Sequence, residues 1–260
     1  MTWMLRLFLL CLALSALFPT AHAHPEDEFC TFDGGIDPAL CQALQDMDRA
    51  AGPAERSAAF TQTETIDFER PAFETFALYI KIGIQHILPG GLDHILFVLA
   101  IFFSTQRLRP LLIQISAFTI AHTITLGMVA SGVFAPPASI VEPLIAATIA
   151  FVAIENLVFR DMTRWRPFIV FGFGLIHGMG FAGFFGSLGL PDGQFWSALI
   201  GFNIGVEIGQ LSVIALAALL LWPLRRVISD AQYRHFIVWP ICGFIGTVGA
   251  YWAVERILAG

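Results

Sequence analysis

Long apolar runs constrain this chain more than any other feature. Six of them follow residue 72, at 73–104, 111–131, 139–159, 167–189, 195–222 and 236–258. Each approaches or exceeds the roughly 20 residues that cross a bilayer as a helix. In lipid, backbone polar groups must be satisfied inside the segment, so such runs predict helices. Composition agrees: 57% of the residues are hydrophobic and 13% charged, where soluble domains carry roughly 25% charged residues. The expected fold is all-α, a polytopic membrane domain of about six transmembrane helices over residues 73–260.

The charges are segregated. The net charge of −6 comes from acids crowded into residues 26–69, while the bases sit in short loops between the apolar runs. No basic stretch suits nucleic acid, so the expected partners are membrane lipid and a small cation. Residues 1–23 read as a signal peptide. Arg6 supplies the charge, Leu5 to Leu17 the apolar stretch and Ala21-His22-Ala23 the cleavage pattern. An uncleaved first span is the competing reading, and the short apolar stretch weighs against it.

Cleavage would leave an acidic periplasmic segment, residues 24–72. There Asp37 caps a short helix opened by Pro38, with Leu40, Leu44 and Met47 on one face. Its acids read as a solvated surface, or alternatively as a metal-collecting tail. Cys30 and Cys41 are candidates for a disulfide in an oxidising compartment. Cys11 leaves with the signal, and Cys242 lies in the last apolar run.

The loops give the orientation. Those after runs one, three and five carry Arg107 and Arg109; Arg160, Arg164 and Arg166; Arg225, Arg226 and Arg234. The loops at 132–138 and 190–194 carry no Lys or Arg. The positive-inside rule puts the Arg-bearing loops in the cytoplasm. Both mature termini then fall in the periplasm of a bacterium, with the chain in the inner membrane. The signal peptide implies the same by an independent route.

The first run is too long for one straight helix and contains Pro89-Gly90-Gly91. Two full spans here would invert every later loop, so the expectation is one crossing with a break at these residues. Glycines recur in run four (Gly172, Gly174, Gly178, Gly180, Gly183, Gly186) and, with Ser197, in run five (Gly201, Gly205, Gly209). They predict close helix packing, a flexible gate being the alternative. A short echo joins Gly91-Leu92-Asp93-His94 to Gly174-Leu175-Ile176-His177 and suggests inverted halves of three spans each.

The polar residues within the runs point to chemistry. An acid near the bilayer centre costs roughly 2.5–3.5 kcal/mol on insertion scales. Asp93, Glu142, Glu155 and Glu207 nevertheless lie in the runs, with His86, His94, His122 and His177. Basic residues are nearly absent there, Lys81 being shallow, so these acids are expected to lack basic partners. Acids and imidazoles without bases favour a cation. Counting depth along the runs, Asp93, His94, His122, His177 and Glu207 converge near the midplane as ligands. Asn203 and Gln210 share a helix face with Glu207 and are expected to support the site. His86 and Glu142 are expected on the periplasmic approach, and Glu155 and Asn156 on the cytoplasmic side. Imidazole with carboxylate suits nickel, cobalt, zinc, iron or Cu(II) better than calcium or magnesium. The plain alternative is that each of these side chains is only an interhelical hydrogen-bond partner. It is weakest for the adjacent Asp93 and His94.

Four stretches now carry a resemblance: His86-Ile87-Leu88-Pro89-Gly90-Gly91-Leu92-Asp93-His94-Ile95-Leu96-Phe97; Phe118-Thr119-Ile120-Ala121-His122-Thr123-Ile124-Thr125-Leu126; Phe171-Gly172-Phe173-Gly174-Leu175-Ile176-His177-Gly178-Met179-Gly180-Phe181-Ala182; and Phe202-Asn203-Ile204-Gly205-Val206-Glu207-Ile208-Gly209-Gln210. As a set they resemble the HupE/UreJ family of bacterial membrane proteins, especially its divergent second branch. The resemblance covers most of residues 76–258. It implies a polytopic permease-like protein associated with nickel or cobalt, often encoded with hydrogenase or urease functions. The chain departs from the better-known members in two places. Six residues rather than five separate His86 from Asp93, and the fourth run holds one histidine rather than two. The expected function is therefore a permease or channel for a divalent transition metal, the ion being substrate, and not an enzyme. An accessory subunit of a membrane metalloprotein complex is the first alternative, and a homo-oligomer is compatible with either. The second is an intramembrane metallohydrolase, against which stands the absence of a His-Glu-x-x-His helix.

Overall fold

The computed structural model describes residues 71–159, 162–181 and 193–259. The expected signal peptide, nearly all of the acidic segment, its Asp37 helix and the Cys30–Cys41 pair lie outside these residues. All regular structure among the described residues is helical: α1 (Ala72–Ile87), α2 (Leu92–Ser104), α3 (Leu108–Ala130), α4 (Ala138–Val158), α5 (Arg166–Gly180), α6 (Phe195–Arg225) and α7 (Asp230–Tyr233). A π turn (Arg234–Val238) joins α7 to α8 (Trp239–Ala259).

Four segments are each long and apolar enough to cross a membrane: α3, α4, α6 and the continuous stretch Asp230–Ala259. The pair α1 and α2 qualifies together, bent by 74°. The expectation of six spans therefore stands at four, or five with the bent pair, among the described residues. Helix α5 has 15 residues, about 22 Å at 1.5 Å per residue, which falls short of the roughly 30 Å hydrocarbon core. Residues 182–189 of the same apolar run lie outside the described residues. Large apolar side chains face outward, among them Ile113 and Ile120 on α3, Phe151 and Ile154 on α4, and Leu219 and Leu220 on α6. A girdle of this kind suits lipid rather than water. The chain is a membrane protein.

The helix interruption stands where the sequence puts it. Helix α1 stops at Ile87, and Leu88 turns to extended backbone, because Pro89 has no amide hydrogen to continue the ladder. The Leu88–Pro89 peptide is cis. The freed groups are met within the turn: the Gly90 N–H donates to the Gln85 carbonyl at 3.4 Å and the Gly91 N–H to Ile87 at 3.3 Å. A Cβ on Gly91 would run into the His86 carbonyl, so only glycine lets the chain double back this tightly.

Glycines also set which helices touch. Helix α1 lies along α6: Gly201 faces Phe76, Gly205 the Ile80 carbonyl and Gly209 the Ile87 side chain, while Gly83 faces the Phe202 carbonyl. Helix α5 lies along α3 in the same manner, with Gly174 on the Phe118 carbonyl and Gly178 on the His122 carbonyl. Helix α8 meets α4 at Gly249, where a Cβ would stand 2.8 Å from the Ala150 amide nitrogen. Close packing is what these positions show. Phe97, Phe118, Phe202, Ile115, Leu126 and Trp252 fill the space between the pairs.

Candidate metal centre

Three helices deliver one histidine each to a common point. His86 ends α1, His94 opens α2 just beyond the break, and His122 lies in α3. Each offers a ring nitrogen, and the three nitrogens lie within 4.8 Å of one another. The break explains how His86 takes part. The sequence reading expects a break but puts His86 on the periplasmic approach, apart from the ligands. The turn instead brings the two rings to 4.6 Å between centroids. His177 adjoins the group from α5, with its ring 5.1 Å from His94.

Hydrogen bonds fix which nitrogens are free. The Asn203 amide donates to the Leu199 carbonyl at 2.8 Å, so its oxygen accepts from Nδ1–H of His122 at 2.9 Å. That leaves Nε2 of His122 as an acceptor, and it is buried without a partner. The Thr148 hydroxyl gives its one hydrogen to the Ile145 carbonyl at 2.7 Å. It must therefore accept from Nε2–H of His177 at 2.9 Å, leaving Nδ1 of His177 buried and unpartnered. Nε2 of His86 and of His94 are likewise buried without partners. Such orphaned nitrogens are costly in an apolar interior, and a cation satisfies several at once. Second partners of this kind orient metal-binding imidazoles generally.

The expected acids go elsewhere. The expectation that they lack basic partners is corrected for two of them. Asp93 is held by Arg256 of α8, with Nη1 to Oδ2 at 2.8 Å and Nη2 to Oδ1 at 3.2 Å. Glu155 Oε2 lies 3.3 Å from Nη1 of Arg166, a residue the sequence assigns to a loop and the structure buries. The cost of burying these charges is shared with arginines, not with the histidines. Glu207 accepts from the Ser116 hydroxyl at 2.8 Å, and the Gln210 oxygen accepts from Thr119 at 3.2 Å. Both lie on the α3–α6 seam, and Glu207 is outside the histidine group. Glu142 contributes its backbone carbonyl, which accepts from Arg256 at 3.2 Å. Asn156 donates to the Ala100 carbonyl at 2.7 Å and accepts from Arg166 at 3.0 Å.

Comparison with protein families matches residues 62–256 to the description HupE / UreJ protein. The chain belongs to the HupE/UreJ family. The match takes in every described helix except the last residues of α8, and so includes all four histidines. Neither the curated proteins nor the solved structures contain a match to the chain.

Arg256, Thr148 and Ser116 are the site's neighbours that the sequence did not single out. Arg256 had a signal, as a cation inside an apolar run, but it stands near the end of that run and reads as an interfacial residue. Thr148 carries no signal, because hydroxyls bonding their own helix are common in apolar helices, and nothing local marks Ser116, which meets Glu207 only across a helix crossing.

Proposed function

We propose that the chain is a permease for a divalent transition-metal cation, with the metal as substrate, and that the cation is taken by His86, His94 and His122. The observation that supports this reading is the convergence of three buried ring nitrogens from three helices within 4.8 Å. Imidazole donors without thiolate favour nickel, cobalt, zinc or Cu(II) over magnesium and calcium, which want oxygen. Membership of the HupE/UreJ family points the same way, toward nickel or cobalt. In this reading α1 and α2 form one broken crossing, since the loops at Arg107, Arg164 and Arg225 then all face the cytoplasm of a bacterial inner membrane. Single-cysteine labelling from outside intact cells checks this orientation. Labelling at residue 136 is expected, and labelling at residue 107 would overturn it.

The function itself is tested in proteoliposomes. Purified full-length protein should admit at least one of nickel, cobalt and zinc, and His94→Ala should reduce uptake to that of protein-free vesicles. Wild-type protein that binds these ions but moves none would overturn the permease reading in favour of an accessory or catalytic role.

A further inference from the structure

Two helices in this fold repeat one another. Gly83-Ile84-Gln85-His86 in α1, rather than the Gly91-Leu92-Asp93-His94 that the sequence echo suggests, matches Gly174-Leu175-Ile176-His177 in α5 in the pattern glycine, two residues, histidine. Each glycine packs on the carbonyl of a phenylalanine, Gly83 on Phe202 and Gly174 on Phe118. Those phenylalanines open matching segments, Phe202-Asn203-Ile204-Gly205 in α6 and Phe118-Thr119-Ile120-Ala121 in α3. Four residues after each glycine the correspondence holds: Ile87 lies on Gly209, and Gly178 lies on Thr125. The step from Phe118 to Phe202 equals the step from Thr125 to Gly209. Each histidine also lies at a similar distance from its phenylalanine ring, His86 at 5.4 Å from Phe202 and His177 at 5.1 Å from Phe118. Along both contacts the residue numbers rise together, so α1 runs parallel to α6 and α5 parallel to α3.

We infer that the membrane domain is built from two inverted repeats, and that their glycine–histidine helices carry two alternate cation positions sharing His94. One is made by His86, His94 and His122; the other is made by His94 and His177.

This rests on the permease reading, in which α1 descends from the periplasmic side and α5 rises from the cytoplasmic side. Both helices are short, 16 and 15 residues, and both end at the histidine cluster. His86 is the last residue but one of α1, and His177 lies three residues before the end of α5. Helix C-termini carry partial negative charge, so each half-helix turns its cation-favouring end toward its own histidine, as broken helices in inverted-repeat transporters do. Helices α4 and α8, equivalents in the two halves, pack on each other at Gly249, as they should where an axis passes between them. His94 stands between the two histidines, 4.6 Å from His86 and 5.1 Å from His177 by ring centroid. His177 also keeps a buried Nδ1 with no partner, and the three-histidine group does not include it. A cation held by His86, His94 and His122 therefore has a next ligand one ring away.

The test uses the full-length protein and Co(II) as probe, read by equilibrium binding in detergent and by uptake into proteoliposomes. His177→Ala should bind Co(II) within about threefold of wild type, yet lose at least about tenfold in uptake, a loss in the range seen when a metal's supporting residue is removed. His86→Ala should lose binding as well as uptake. His177→Gln serves as a second variant, since retained binding shows that the protein is folded. Binding lost equally in the His86 and His177 variants would overturn the inference in favour of one four-histidine site. Uptake unchanged in both His177 variants would overturn it too, leaving His177 a packing residue. Wild-type protein that binds none of Co(II), Ni(II) and Zn(II) would overturn the permease reading itself, and this inference with it.

Discussion

Arg256 clasps Asp93 through two parallel hydrogen bonds, although 163 positions separate them in the chain. The carboxylate stands immediately before His94, so the pair anchors the start of α2 to α8 beside the histidine cluster. Both side chains are largely buried, at 8% and 17% exposure. Removing one partner strands a charge in an apolar interior, which costs about 3–5 kcal/mol for buried pairs. Arg256→Met should therefore destabilise the protein on that scale, while Arg256→Met with Asp93→Asn should recover much of the loss. Equilibrium unfolding of the two single variants and the double variant in detergent measures this. Additive losses would show that the pair does not act as a unit.

The α1–α6 contact offers a second prediction. A Cβ at Gly83 would overlap the Phe202 carbonyl, and a backbone atom in mid-helix cannot give way cheaply. Gly83→Ala should push α1 away from α6 at a cost of about 1–3 kcal/mol and carry His86 out of the cluster. Metal affinity should fall along with stability. A Cβ at Gly172 would meet nothing within 4 Å, so Gly172→Ala should be neutral or stabilising by about 0.5–1 kcal/mol through helix propensity. Thermal unfolding and Co(II) titration of both variants separate tight packing from a general intolerance of substitution.

Asn203 gives a third. Its oxygen holds Nδ1–H of His122 and so leaves the buried Nε2 as the ring's free acceptor. Asn203→Leu removes that bond without touching a ligand, and loss of such a partner typically lowers metal affinity about 10- to 100-fold. Protons compete for the same lone pairs, so Co(II) affinity of the wild type should fall, not rise, on acidification. Competition titrations with a chelator report both effects. An affinity that rises on acidification would exclude a site of neutral imidazoles.

The histidines are legible in the sequence because each is an ionisable side chain within an apolar run, where burial needs a reason. The helix break is legible because proline and glycine act locally. The partners of the acids are not, since Asp93 meets Arg256 and Glu155 meets Arg166 only through helix crossings that no local pattern encodes. His86 falls on the approach in a sequence reading for a related reason: the break itself is legible, but not the 74° bend between the two helices that it joins. Arg166 reads as a loop charge, and it becomes a buried residue because α4 supplies both Glu155 and the Asn156 oxygen beside it.

The pairing of Asp93 with Arg256 leaves the histidine cluster with uncharged donors, and this has an electrical consequence. A divalent ion among neutral imidazoles keeps both of its positive charges, with no ligand carboxylate to cancel either. Each charge crossing the membrane exchanges about 2.3 kcal/mol per 100 mV of potential, so a doubly charged passenger exchanges about 4.6 kcal/mol over the same voltage. An inside-negative voltage therefore draws the ion inward and resists its exit. In the proposed permease, an ion moved without a coupled counter-ion would therefore carry current, and its uptake would respond to the membrane voltage.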